Sequence, residues 1–200
     1  KLFVAQADLK RNRVSESPMS NLLTDALRRT SGADIAFMNT GGIRTDLPQG
    51  EITYEQFFEV LPFGNSAVVA EPMGIDKLLK LLQRSIETCG DYGALMQSGL
   101  KVQFSRDCTL GLSAGQKVGS DPNAKLLRVE TLEGKVLYDD AKGYKQTGAT
   151  FKVATLDFLL DGGSGYSDFR GVPQVLVRRG WPGRSGSRAA VRRVSTVSSF

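Results

Sequence analysis

ESPMSNLLTDALRRTSGADIAFMNTGGIR, residues 16–44, holds the two elements from which the fold of this chain can be worked out. Ser17 followed by Pro18 predicts a helix start. The serine supplies a capping oxygen, and proline suits the first helical position because its missing N–H is unpaired there anyway. Met19, Leu22, Leu23, Ala26 and Leu27 recur at helical spacing and give one apolar stripe, and Gly32 stops the helix. Ala33–Met38 is short, apolar and bounded by turn residues, so it predicts a buried strand. Asn39–Arg44 (NTGGIR) then predicts a loop leaving that strand.

Upstream, residues 1–14 are polar and basic and predict a linker or lead-in strand. Downstream, Thr53 is expected to cap a short helix through Val60, broken by Leu61-Pro62-Phe63-Gly64. Ala67–Glu71 predicts a strand. Asp76 is expected to cap a third helix whose Leu78, Leu79, Leu82 and Ile86 form a second stripe, ending near Gly90. From about residue 100 the period changes to that of strands: Leu100–Phe104, then Leu126–Leu132 and Lys135–Tyr138 around a tight Glu133-Gly134 turn. Phe151–Leu156 predicts another strand or a strand-to-helix entry and Val172–Val177 a last strand, with a turn-rich loop at Asp161–Gly165 between them. Helices near 17–31, 53–60 and 76–89 mix with strands without regular alternation. That pattern predicts an α+β fold, an irregular α/β sandwich on a mixed sheet.

The totals narrow the chemistry. Two hundred residues, 40% hydrophobic and 24% charged, suffice for a sizeable core. No stretch approaches the roughly 20 apolar residues that span a bilayer. No signal-peptide pattern follows Lys1, although a leader would lie upstream if the chain begins inside a longer protein. There is no histidine, which excludes Ser-His and Cys-His nucleophile pairs and histidine-built zinc sites in these residues. The net charge of +5 resides in the tail: Arg178, Arg179, Arg184, Arg188, Arg192 and Arg193 occur without an acid, leaving residues 1–177 at about −1. Residues 178–200 therefore predict a basic Gly/Ser/Arg-rich arm, disordered or loosely docked, and the case for a nucleic-acid partner is weak. Cys89 and Cys108 allow one disulfide or two thiols, and sequence does not decide between them.

Three segments combine glycine with aromatic, amide or charged residues in predicted loops: NTGGIR (39–44), LPFGN (61–65) and FLLDGGSGY (158–166). Glycine lets a ligand approach the main chain, arginine offers a fork of donors to an oxyanion, and Phe63, Phe158 and Tyr166 offer flat faces for a planar base. Each segment alone has an ordinary reading as a turn, a core aromatic or a surface charge. The set of three in this order carries the information.

Together with ITYEQFFEVLPFGN (52–65) and VATLDFLLDGGSGY (153–166), the opening stretch resembles the C-terminal domain of the 5′-nucleotidase family over roughly residues 15–170. That family includes UDP-sugar hydrolases, ecto-5′-nucleotidases and 2′,3′-cyclic-nucleotide phosphodiesterases. The resemblance implies a nucleotide- or nucleoside-binding domain, residues 15–177, of a two-domain hydrolase. An N-terminal calcineurin-like metallophosphoesterase domain would hold two divalent metal ions and perform the hydrolysis. These residues would then contain no catalytic group, metal or cofactor, would be inactive alone, and would belong to a periplasmic, secreted or cell-surface protein. Asn39 and Arg44 match the amide and arginine of the family's glycine-rich loop, where the asparagine meets the base and the arginine the ribose or phosphate side. Phe63 and Phe158 match the aromatics that sandwich the base, Asn65 an asparagine used against it, and Gly93 a backbone contact.

The chain also departs from the pattern. Thr40 replaces the first of three loop glycines. Ser164 stands where an acidic residue grips the ribose hydroxyls, and Ser15 where some members carry an arginine, with Arg13 two positions away. Loss of a charge-assisted hydrogen bond costs about 1.5–3 kcal/mol, roughly ten- to a hundredfold in affinity. The departures therefore keep open a second expectation, a non-catalytic nucleoside-binding module with a degenerate pocket.

Overall fold

The computed structural model describes residues 1–89, 93–108 and 120–177. Its centre is a five-stranded mixed sheet in the order β11-β4-β10-β2-β5, made of β2 (Ile35–Asn39), β4 (Ala67–Gly74), β5 (Leu95–Ser98), β10 (Thr150–Leu156) and β11 (Gln174–Leu176). Only β10 and β2 run parallel, with Val153 opposite Ile35 and Ala154 opposite Ala36. The other neighbours are antiparallel.

Every residue of β2 is buried, because the sheet is covered on both faces. Ile35 and Phe37, with Val68, Ala70 and Val153, point into one core. Ala36 and Met38, with Ala67, Val69 and Ala154, point into the other. This is the period-two alternation of a strand with apolar layers on both sides. The first core is closed by α3 (Ile75–Glu87) and an antiparallel sheet of β6 (Leu100–Ser105), β7 (Lys125–Thr131), β8 (Val136–Asp139) and β9 (Tyr144–Lys145). The second is closed by α1 (Pro18–Ser31), α2 (Tyr54–Val60) and the small ribbon of β1 (Phe3–Ala5) with β3 (Gly50–Ile52). The result is the expected α+β sandwich. A short α4 (Asp157–Leu160) follows β10.

Helix α1 forms as its sequence demands. Ser17 Oγ accepts the Ser20 N–H at 3.2 Å, Pro18 occupies the first turn, and Gly32 closes the helix in the left-handed region at φ 67°. Met19, Leu23 and Leu27 are fully buried, each stabilising the fold by roughly 1.5–3 kcal/mol. In α2, Thr53 and Gln56 form a reciprocal capping box.

Helix α3 corrects the expected cap. It starts at Ile75 with Gly74 as the N-cap and ends at Glu87, so Asp76 lies inside the first turn. There its carboxylate favours the positive helix end and pairs with Lys145 at 2.6 Å. Strands β3, β5 and β9 are elements that the sequence pattern does not mark, while α4 follows β10 as a strand-to-helix entry. The expected basic arm, residues 178–200, lies outside the described residues.

Cys89 and Cys108 form a disulfide with Cα atoms 5.4 Å apart, fastening the end of α3 to the end of β6. Gly99 (φ 103°) turns the chain from β5 in one sheet into β6 in the other. A Cβ there would lie 2.3 Å from the Asp34 carbonyl oxygen and 3.1 Å from Ile35 Cα. Gly134, in the β7–β8 turn at φ 87°, has nothing within 4 Å. Gly134→Ala is expected to cost about 1 kcal/mol of backbone strain. Gly99→Ala adds a backbone collision and should cost on the order of 3 kcal/mol or more. Urea denaturation of both variants checks this, and equal midpoints would contradict the collision argument.

Candidate functional site

Because β10 and β2 are parallel neighbours, their carboxyl ends lie at one edge of the central sheet. Asn39 ends β2, and Asp157 and Phe158 follow β10. Strand β4 begins there too, since Ala67 lies opposite Leu156, which brings in the loop carrying Phe63 and Asn65. Strand β5 pairs Leu95 with Asn39, which brings in Gly93. Four chain segments from distant parts of the sequence thus converge on one rim.

Backbone hydrogen bonds fasten the segments together. The Thr40 N–H donates to the Ala94 carbonyl at 2.8 Å, the Arg44 N–H to Val60 at 2.9 Å, and the Asp157 N–H to Ser66 at 3.0 Å. Asn39 is 5% exposed. Its Nδ2 donates to Ser164 Oγ at 3.4 Å, while its Oδ1 is buried without a hydrogen-bond partner. A Cβ on Gly42 would approach that Oδ1 to 3.3 Å, so the loop glycine leaves the space around the amide. A buried acceptor left unpaired costs about 1–3 kcal/mol, and such an atom calls for a reason.

Phe63 and Phe158 are 58% and 43% exposed, unusual for phenylalanine in a domain with two well-filled cores. The Arg44 guanidinium stands 5.6 Å over the Phe63 ring and donates from Nη1 to the Gly41 carbonyl at 3.2 Å. The Phe158 ring rests on Gly163, where a Cβ would fall 2.5 Å from its Cε1 and Cζ. Asn65 is half-buried and lies between Phe63 and β4 in sequence. Gly93 backs onto Ser164: a Cβ there would meet Ser164 O at 3.6 Å. All seven residues singled out from the sequence therefore belong to segments meeting at this rim.

Ser164 has φ 53° and ψ 18°, the one left-handed residue other than glycine among those described. Aspartate tolerates this region better than serine. A serine held there stores strain of the kind concentrated at ligand sites.

Tyr166 corrects another expectation. Its ring is fully buried and offers no face to a ligand. It acts instead as a pillar: its hydroxyl donates to the Gly93 carbonyl at 2.6 Å, tying the 157–166 loop to the segment before β5. Burial pushes the phenol far above its ordinary pKa, so the hydroxyl keeps its proton and remains a donor.

The sequence reading also missed Arg84, on the exposed side of α3. Its guanidinium lies 5.5 Å from the Tyr166 ring centroid, and Nη2 reaches the Ser164 carbonyl at 3.5 Å. A single arginine on a helix carries no motif, and only the fold brings it to the loop. A separate cleft of about 690 Å³ lies between α1, β5 and β6 and reaches the rim at Thr40 and Ala94. Among the described residues, no group of three or more His, Cys, Asp or Glu side chains is placed to hold a metal ion. No helix among them is long and apolar enough to cross a membrane.

Comparison with known proteins agrees with this geometry. The chain belongs to the family described as 5′-nucleotidase, C-terminal domain, whose model matches residues 2–171. It is 37% identical over 166 residues to the cell wall protein Lmo0130 of Listeria monocytogenes, covering 78% of this chain and 19% of that protein. It is 30% identical over 164 residues to the trifunctional nucleotide phosphoesterase protein YfkN of Bacillus subtilis, covering 78% of this chain and 10% of that one. Among solved structures, the 5′-nucleotidase precursor of Thermus thermophilus superimposes with a TM-score of 0.65 at 30% identity, over 86% of this chain and 33% of its own. The chain thus spans a third or less of the length of these relatives.

The unpaired acceptor gives a stability prediction. Asn39→Ala removes an amide that is poorly satisfied without ligand, so it should cost no more than about 1 kcal/mol. Phe37→Ala, two residues earlier on the same strand, should cost about 3–5 kcal/mol. Denaturation midpoints measured without ligand compare the two, and a loss at Asn39 as large as at Phe37 would show that its amide is needed for the fold.

Proposed function

We propose that this chain is the nucleotide-binding domain of a two-domain 5′-nucleotidase-type phosphoesterase. In this reading, residues 15–177 are the domain proper, with 1–14 leading into it and 178–200 as a basic arm. The base lies between Phe63 and Phe158, and its polar edge pairs with the Asn39 amide and with Asn65. Arg44 meets the ribose or phosphate side, Ser164 takes a ribose hydroxyl, and the Gly93 backbone completes the wall. The observation that carries the reading is the buried Asn39 Oδ1, an acceptor without a partner, in a rim that also exposes two phenylalanine rings. A planar ring with N–H donors supplies both the missing donor and the face for stacking.

Hydrolysis is assigned to an N-terminal metallophosphoesterase domain with two divalent ions, a reading supported by the match to the C-terminal domain of the 5′-nucleotidase family. This domain's part is to bind and orient the substrate, and alone it is expected to be inactive. Names of relatives, a nucleotide phosphoesterase and a 5′-nucleotidase precursor, support a nucleotide substrate. The cell wall protein among them and the Cys89–Cys108 disulfide support a periplasmic, secreted or cell-surface setting.

A second reading, a non-catalytic nucleoside-binding module with a degenerate pocket, is favoured by Ser164 in place of a carboxylate and by the buried Thr40. Calorimetric titration with adenosine, AMP and UDP-glucose tests both. Base–aromatic stacking is worth about 1–3 kcal/mol per base, so the Phe63→Ala/Phe158→Ala double variant should bind at least about tenfold more weakly than wild type. Equal binding by the two proteins would remove the aromatic clamp. Wild type that ignores all three ligands at millimolar concentration would favour the degenerate module.

A further inference from the structure

We propose that the cleft between α1 and β6 is a docking groove in which an extended acidic peptide adds a strand to the free edge of β6. The cleft measures about 690 Å³, within the size range of ligand sites. None of the residues assigned to base, ribose or phosphate lines it. Its two ends are bridged. At one end Arg28 Nε donates to Ser98 Oγ at 2.8 Å, just before the chain turns at Gly99 into β6. At the other end the Arg106 guanidinium, just beyond β6, donates to the carbonyls of Thr88 and Val14, and Val14 lies just ahead of α1. Helix and strand therefore run in opposite directions along the two walls. From Ser17 to Arg28 the helix rises about 17 Å, the length of about five residues of extended chain.

The β6 wall offers main-chain groups. It is an outer strand of its sheet, paired with β7 on one side. The Leu100 N–H donates to Gln97 Oε1 at 3.2 Å and its carbonyl accepts from Gln97 Nε2 at 3.1 Å, so both point away from β7. Bonding direction alternates along an antiparallel strand, so Lys101 turns toward β7 and Val102 turns its N–H and carbonyl outward. Among the described residues nothing bonds to that outward pair, and Val102 lines the cleft. Strand addition to such an edge is a recurring mode of peptide recognition, in which main-chain bonds give affinity and side-chain contacts give specificity. Leu82, Ile86 and Met96 supply an apolar lining. The charged lining sets the sign of the partner: Arg13, Arg28, Arg29 and Lys101 stand against Glu16 and Asp25. Both acids are already engaged, Asp25 by the Ser98 hydroxyl and by Arg29 at 3.8 Å, Glu16 by the Asn21 amide at 2.7 Å. The Glu133 carboxyl, on the β7–β8 turn, is held below its usual range by its own backbone N–H, by the Thr131 hydroxyl and by the charges of Arg28 and Lys101, so those two cations share one end of the cleft. Residues 90–92, 109–119 and 178–200 add a single acidic side chain, Asp91, against Lys117 and the arginines of the tail. They carry the wrong sign to fill the groove, so the partner is another chain.

Two acetylated and amidated pentapeptides, EVTVE and KVTVK, test this. Each is titrated into the 200-residue chain while amide exchange is followed by NMR. At low salt EVTVE is expected to bind about tenfold more tightly than KVTVK, the size of two exposed ion pairs changing sign, and to slow exchange of the Val102 amide. The preference should narrow as salt rises. Lys101→Glu, on an exposed position of the edge, should remove most of it. EVTVE methylated on its three central backbone nitrogens should bind about tenfold more weakly, the loss of two main-chain hydrogen bonds. Equal binding of the methylated and plain peptides would show that no strand is added and would overturn the proposal. So would EVTVE that binds yet leaves Val102 exchange unchanged, or a wild type that ignores both peptides at about 1 mM.

Discussion

The pairing of β10 with β2 on one side and β4 on the other is the constraint on which the molecule depends. One parallel partner and one antiparallel partner require that the end of β10, the end of β2 and the start of β4 share an edge. Asn39, Phe158 and the Phe63 loop are widely separated along the chain, yet main-chain hydrogen bonds deliver them to the same rim. The side chains there are free to be poor contributors to stability, because the ladder and the two apolar layers hold the sheet without them. An unpaired amide, two exposed rings and a left-handed serine are tolerable for that reason.

Local chemistry was legible wherever one element decides its own geometry. Ser17-Pro18 and Gly32 bounded α1, Thr53 opened α2, and the Glu133-Gly134 turn marked the β7–β8 hairpin. The apolar run 33–38 pointed to a strand that proves buried on both faces. Failures came where the deciding contact is distant in sequence. Leu95–Ser98 has no strong strand pattern and becomes β5 because β2 offers it an edge. The cap of α3 fell to Gly74 because β4 runs straight into the helix, which a preference for acidic caps does not anticipate.

The site divides along the same line. The loop motifs pointed to Arg44, Phe63 and Phe158, the family resemblance added Asn39, Asn65, Gly93 and Ser164, and the fold brings the segments that carry them together. Pattern alone ranks Tyr166 with the two phenylalanines, whereas its hydroxyl and ring serve the loop's support. Arg84 was invisible because its meaning depends on Gly165 and Tyr166, far along the chain. A glycine with no room for a Cβ records the position of its neighbour, and that record is readable only in three dimensions.

The covalent link between Cys89 and Cys108 encloses a segment that serves both sheets. Residues 89–108 contain β5, an outer strand of the five-stranded sheet, and β6, an outer strand of the four-stranded one. Unpaired strand edges are where sheets recruit other chains. Here one bond anchors the segment that carries both outer strands to the end of α3, so neither strand can leave its sheet without pulling on that helix.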